Sequence, residues 1–166
     1  MSIAGSCPGL LGRVRFAEIV DWFGVATVEE GLALRAAGLP HPVFLMIPPV
    51  GGKLTAAIRA GFHIPLGDLG MLAEVEEAAR RAGKPALLHL KIDTGMGRFG
   101  LLPEEAEEIR DYLKPKWVKL MGIFSHLSSA CGTAPEDSEF TRAQVWWFRK
   151  LLQGKNRHGH GGLRCE

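Results

Sequence analysis

The sequence predicts an α/β fold in which parallel strands alternate with helices. Short apolar or β-branched runs give way to amphipathic patterns again and again between residues 21 and 153. The strand-like runs are almost continuously apolar, as parallel strands are when both faces are covered. Each is followed by a helix or helical turn, which implies right-handed crossovers within one sheet. Two architectures satisfy this pattern, a doubly wound sheet and a (β/α)8 barrel. The pattern supplies about five units, whereas a complete barrel takes eight units and about 250 residues.

Taken in order, WFGVAT (22–27) reads as the first buried strand. Thr27 and Glu30 then stand three apart as a capping box, and Gly38 with Pro40 stops the helix that follows. PVFLMIP (42–48) is the next strand and KLTAAIRAG (53–61) the next helical stretch. FHIPLGD (62–68) is a weaker strand because of its internal proline. Residues 70–83 give the clearest helix, with Met71, Val75, Ala78, Ala79 and Ala82 on one face. Glu76–Arg80 and Glu77–Arg81 are i,i+4 pairs on the other face, and Gly83 with Pro85 ends the helix. ALLHLKID (86–93) is a strand, and Pro103 opens a helix over 102–113 with acidic residues in its first turn. VKLMGIFSHL (118–127) is the fifth strand. The last helix spans 137–152, with Phe140, Gln144, Trp147, Phe148 and Leu151 roughly aligned.

The chain of 166 residues amounts to about one domain. At 46% hydrophobic and 23% charged residues it has the composition of a soluble globular protein. A net charge of +2, with scattered Lys and Arg, argues against nucleic acid as a partner. No apolar run approaches the ~20 residues of a membrane span. MSIAGSCPGLLGRVRF lacks an apolar core behind a basic segment, so it does not read as a signal peptide. Cys7, Cys131 and Cys165 are far apart and odd in number, which fits a reducing compartment, and the cytoplasm is expected.

The stretch HLKIDTGMGRFG (89–100) carries the chemistry. By strand alternation His89, Lys91 and Asp93 share one face and Leu88, Leu90 and Ile92 the other. Unpaired buried charge is costly, so such a polar row needs a reason. Either Lys91 pairs with Asp93 or a neighbour in an interior network, or the row lines a site. Gly95, Gly97 and Gly100 permit close backbone approach to a ligand. Arg98 falls just past the carboxyl end of the strand, where α/β folds place their sites, and suits a carboxylate, phosphate or phenolate oxygen. His126, with Ser125, Ser128 and Ser129 beside it, lies at the same rim. His158 and His160, in the glycine-rich residues 154–166, are a weak metal signal, and a disordered tail is the expectation there.

These residues resemble the alanine racemase family. HLKIDTGMGRFG is similar to the family's signature strand and loop. The resemblance extends through DWFGVATVEEGLALRAAGL (21–39) and GIFSHLSSA with FTRAQ (122–144), in the expected order over roughly residues 20–152. It implies a partial (β/α)8 TIM-type barrel belonging to an N-terminal domain that binds pyridoxal 5′-phosphate. It further implies a C-terminal β-domain, a head-to-tail homodimer with shared active sites, and interconversion of L- and D-alanine to supply D-alanine for peptidoglycan. By the same resemblance Arg98 lies near the phenolic oxygen of the cofactor and the substrate carboxylate. Lys91 matches a lysine that is often carbamylated and would orient Arg98. His126 matches the histidine beside the cofactor ring.

The resemblance also implies a cofactor lysine in a KANAYGHG-like motif before DWFGVAT and a tyrosine base from the C-terminal domain. Residues 1–20 contain no lysine, and Tyr112, the sole tyrosine, sits in a helical stretch without a motif match. Cys131 stands where the family usually has aspartate. The expected organisation is therefore an atypical leader (1–20), an incomplete barrel domain (21–153) and a Gly/His-rich tail (154–166). With neither catalytic base present, such a chain is expected to be a truncated form without activity of its own. Related pyridoxal-phosphate barrels (a D-amino-acid dehydratase or aldolase, or a cofactor-homeostasis protein) and a non-enzymatic remnant are the alternatives; the KIDTGMGR string argues against the first, and the absence of a cofactor lysine is the mark of the second.

Overall fold

The computed structural model describes residues 3–4, 20–113 and 116–154. Its six parallel strands are β1 (Ile3–Ala4), β2 (Trp22–Val25), β3 (Val43–Leu45), β4 (His63–Leu66), β5 (Ala86–Ile92) and β6 (Val118–Ser125). They lie in one sheet in the order β1-β2-β3-β4-β5-β6. The helices are α1 (Val28–Ala36), α2 (Gly52–Arg59), α3 (Met71–Ala82), α4 (Pro103–Tyr112) and α5 (Pro135–Gly154).

That strand order decides between the two architectures. A doubly wound sheet reverses direction at a switch point. Here every strand pairs with its successor, and successive right-handed crossovers then place the helices on one face. The result is part of a (β/α)8 barrel wall. β1 pairs with Trp22 and Phe23 and escapes a reading of the sequence, because two residues carry no periodicity.

The face toward the helices carries Phe23, Val25, Val43, Leu45, Ile64, Leu66, Leu88, Leu90 and Ile92. These pack with Leu34, Leu54, Ile58, Val75, Ala79 and Ile109 into one core. Full burial of such a side chain stabilises by roughly 1.5–3 kcal/mol, so this cluster provides the main drive for folding. The other face holds Trp22, Phe44, His63, His89, Lys91 and Phe124, the residues that matter for the site.

Local signals explain most element ends. Thr27 Oγ1 accepts from the Glu30 N–H at 3.2 Å, as a capping box requires. The reciprocal arm reaches one residue further back, with Glu30 Oε2 accepting from the Ala26 N–H at 3.0 Å. Arg35 donates to the carbonyls of Leu39 and His41, both at 2.8 Å, which ties the end of α1 to the approach of β3. Gly83 ends α3 in the left-handed region at φ 75°. Glu77 takes both following arginines, Arg80 at 3.5 Å and Arg81 at 3.6 Å, while Glu76 is buried rather than on the exposed face expected for it. Pro103 is the first residue of α4, and Glu105 accepts from the Leu102 N–H at 2.8 Å. Pro65 sits inside β4 without penalty, since β4 pairs with β3 through His63 alone, before the missing N–H is reached.

The inward stripe of α5 is narrower than the sequence suggests. Gln144 and Leu151 are buried and Phe148 half-buried, but Phe140 and Trp147 are exposed. Trp147 packs edge-on against Trp146 at 4.8 Å, and Lys150 Nζ lies about 5 Å from both rings.

Candidate functional site

The site forms at the carboxyl ends of β5 and β6. β5 stops at Ile92, so Asp93 is not a third polar residue on the strand face with His89 and Lys91. It begins the loop instead. Asp93 Oδ1 accepts from the N–H groups of Gly95 (2.8 Å) and Gly97 (3.1 Å), and Oδ2 accepts from that of Arg98 (3.1 Å). Partial burial alone would raise the Asp93 pKa, but these amides outweigh it and hold the carboxyl below the usual range. One side chain thus winds residues 94–98 around itself.

The loop closes where it opened. Asp93 donates its N–H to the Leu101 carbonyl at 2.8 Å, and Leu101 donates to the Lys91 carbonyl at 2.8 Å. Gly100 makes that closure possible. Its φ is 148°, and a Cβ there would lie 2.7 Å from the Asp93 nitrogen. The loop presents Arg98 as an exposed residue. Among the described residues its guanidinium makes no hydrogen bond or ion pair.

Lys91 is buried at 8% exposure on the helix-free face. Among the described residues it makes no ion pair, with Asp93 or any other partner. Its Nζ lies 5.1 Å from the centre of the Phe99 ring. Burial lowers its pKa first, the Arg98 charge lowers it further, and Asp93 offsets part of the effect. Two cations thus share a corner in which the one nearby carboxylate is engaged by backbone amides.

Deeper on the same face, His63 Nδ1 and His89 Nε2 are hydrogen-bonded at 2.8 Å. Trp22 and Phe44 pack edge-on against this pair, Trp22 at 4.4 Å from His63 and Phe44 at 5.2 Å from His89. Burial pushes both rings down to about 4, and His89 adds repulsion at His63. Both imidazoles are therefore neutral at pH 7.

His126 follows β6 and is exposed. Its loop is held to the Arg98 loop by side chains. Thr94 Oγ1 lies 2.8 Å from Ser125 Oγ, and Ser125 Oγ donates to the Ile92 carbonyl at 2.8 Å. Gln144, from α5, bonds to Thr94 and to residues 126 and 128.

The structure thus brings Lys91, Arg98 and His126 to one end of two adjacent strands. His63 and Gln144 are additional members that sequence reasoning missed, and Asp93, expected on the strand face, acts instead as the acceptor that holds the loop. Asp93 had a readable signal, an aspartate before glycines whose amides it can accept from. His158, His160, Cys7 and Cys165 lie outside the described residues, as does most of the expected leader. Cys131 is exposed with a free thiol.

The sequence matches the family model described as alanine racemase, N-terminal domain, over residues 4–164. It is 36% identical over 151 residues to an alanine racemase of Thermobifida fusca, covering 89% of this chain and 40% of that protein. An alanine racemase of Fusobacterium nucleatum is 32% identical over 151 residues, covering 88% and 42%. Among solved structures, the alanine racemase of Streptomyces coelicolor A3(2) superposes with a TM-score of 0.73 at 29% identity, over 92% of this chain and 41% of that one. The alanine racemase of Clostridium difficile 630 shares the fold, with a TM-score of 0.79 at 23% identity over 95% of this chain and 44% of that one. The chain spans about 40% of the length of the curated relatives it matches.

Proposed function

The chain belongs to the alanine racemase family through its N-terminal domain, and on that premise we propose that this domain holds pyridoxal 5′-phosphate for the family's interconversion of L- and D-alanine, without activity of its own in the absence of the cofactor lysine and the tyrosine base. The observation that carries the reading is Arg98, an exposed guanidinium without a protein partner among the described residues, on a loop fixed by three amide bonds to Asp93. Its planar fork suits the phenolate oxygen of the cofactor and the carboxylate of alanine. The donor set fits the group, since Lys91, Arg98 and His126 gather at one end of β5 and β6 and the group is rich in anionic oxygens.

When bound, pyridoxal 5′-phosphate supplies an electron sink for the carbon from which the α-proton is removed. The protein's own residues hold and orient. Arg98 would hold an anionic oxygen of the ligand through charge-assisted hydrogen bonds. His126, exposed at the same rim, would stand beside the ring of the bound group. Lys91, with its pKa lowered, has more free amine available than an exposed lysine. That amine can add to carbon dioxide, forming one N–C bond and releasing one proton. The resulting carbamate is an anion able to accept from Arg98, which would replace repulsion between two cations by attraction. The homodimer, the supply of D-alanine for peptidoglycan and a cytoplasmic location belong to the same proposal. Among the described residues no helix is long and apolar enough to cross a membrane.

The test is titration of the purified chain with pyridoxal 5′-phosphate, followed by absorbance, with L-alanine conversion to D-alanine measured in the same samples. Saturable binding that weakens about tenfold or more in Arg98→Ala supports the reading, because a charge-assisted bond contributes about 1.5–3 kcal/mol. Binding no better than that of free lysine, or binding indifferent to Arg98→Ala and His126→Ala, would sink it.

A further inference from the structure

Gln144 is a buried polar residue, 1% exposed, on the inward face of α5. Its carbonyl oxygen accepts from the Ser128 N–H at 3.1 Å and from the Ser128 hydroxyl at 3.3 Å. Its amide nitrogen donates to the His126 carbonyl at 3.1 Å and to Thr94 Oγ1 at 3.3 Å. The side-chain orientation is fixed by its partners, because the Ser128 N–H can only donate and the His126 carbonyl can only accept.

The hydrogen-bond direction continues beyond Gln144. Ser125 spends its proton on the Ile92 carbonyl, so it accepts from Thr94. Thr94 in turn accepts from Gln144. The chain Gln144 to Thr94 to Ser125 to Ile92 therefore has one polarity, and both of its hydroxyls donate once and accept once. A part-buried network in which each member is paired holds its members in one arrangement.

Thr94 belongs to the loop that carries Arg98, and residues 126–128 belong to the loop that carries His126. We infer that Gln144 is a positioning residue, the link that sets the Arg98 loop against the His126 loop. Its hydrogen bonds run to Thr94, to the His126 carbonyl and to Ser128, and not to the Arg98 or His126 side chains. The importance of that spacing for pyridoxal 5′-phosphate rests on the function proposed above, whereas the coupling of the loops does not.

The experiment is amide hydrogen exchange by NMR on the full chain, with pyridoxal 5′-phosphate titration on the same samples. Gln144→Met keeps the length and volume of the side chain and removes its hydrogen bonds. Exchange is expected to quicken about tenfold at Ser128 and also at Gly97 and Arg98, which Gln144 does not touch, while α1 and α2 are unchanged. The dissociation constant for pyridoxal 5′-phosphate is expected to rise about tenfold. Unchanged exchange at Gly97 and Arg98 would overturn the inference.

If Gln144→Met does not fold, Thr94→Val removes the bond from Gln144 together with the Thr94–Ser125 bond, and Ser125→Ala, which spares the Gln144 bond, is its control. Quicker exchange at Ser128 in that variant supports the link, and an unmoved Ser128 refutes it, since a residue serving packing alone transmits nothing. A wild-type chain that binds no pyridoxal 5′-phosphate defeats the functional reading, and the exchange rates still decide the coupling.

Discussion

Acid should weaken this fold before its carboxylates are protonated, through His63 and His89. Their 2.8 Å hydrogen bond needs one ring nitrogen to donate and the other to accept. A proton added to the acceptor sets two N–H groups face to face, with the edges of Trp22 and Phe44 alongside in place of water. Both rings are held at about 4, against 6.5 for a free imidazole. At about 1.36 kcal/mol per pH unit, that is about 3.4 kcal/mol for each ring at full effect. His89 is only half-buried, and the mutual repulsion of the two rings is counted once, so roughly 3 kcal/mol is the realistic total for the pair. The folded pKa values lie below the unfolded ones, so the unfolded chain binds more protons as the pH falls below about 6.5. Stability is therefore full above that pH and is lost progressively down to about 4. About two thirds of this is lost between pH 7 and pH 4.5, so with a urea dependence of about 2 kcal/mol per molar the midpoint should fall by about 1 M over that range. Urea unfolding followed by tryptophan fluorescence measures this, with the His63→Gln/His89→Gln double variant as the chain that cannot titrate there. An equal fall in wild type and double variant would refute the reasoning.

Three further outcomes are expected. Asp93→Asn loses a charged acceptor for three loop amides and should lower unfolding stability by about 2 kcal/mol. Because the folded pKa of Asp93 is depressed, its contribution is present above the unfolded value near 4 and fades below it, so the two proteins should converge in urea melts at low pH. Gly100→Ala places a Cβ against the Asp93 nitrogen at a φ of 148° and should cost about 2 kcal/mol, with proteolysis quickened between residues 93 and 101. In 13C-bicarbonate at pH 8, wild type should show a carbamate carbon resonance that Lys91→Arg lacks, and its persistence in that variant would remove Lys91 from the role.

The legible part of the fold was the part written in local periodicity. The α3 face, the Pro103 start and the apolar strands each depend on residues within a few positions of one another, so spacing alone exposes them. The partial barrel needed more. Alternation of strands and helices fits two windings, and the strand order that separates them is a relation between residues such as Leu90 and Ile123, far apart in sequence. β1 was missed because two residues carry no period, and its existence depends on Trp22 and Phe23 as partners.

The site divides along the same line. Lys91, Arg98 and His126 stand out in the sequence as candidates because each sits inside a contiguous string of distinctive residues. Asp93 was placed on the wrong element by extending strand alternation one residue too far. The alternation ends where Asp93 donates to Leu101 rather than to a neighbouring strand, a contact eight residues away through a glycine loop. Gln144 looked like one more position on an amphipathic stripe. A polar residue on an otherwise apolar helix face carries meaning only through its partners, and those lie 16, 18 and 50 residues away. The chain therefore advertises the groups that would meet a ligand and conceals the ones that space them. That follows from the physics, since ligand-facing groups project from a single loop, whereas spacing two loops requires a third element that bonds to both.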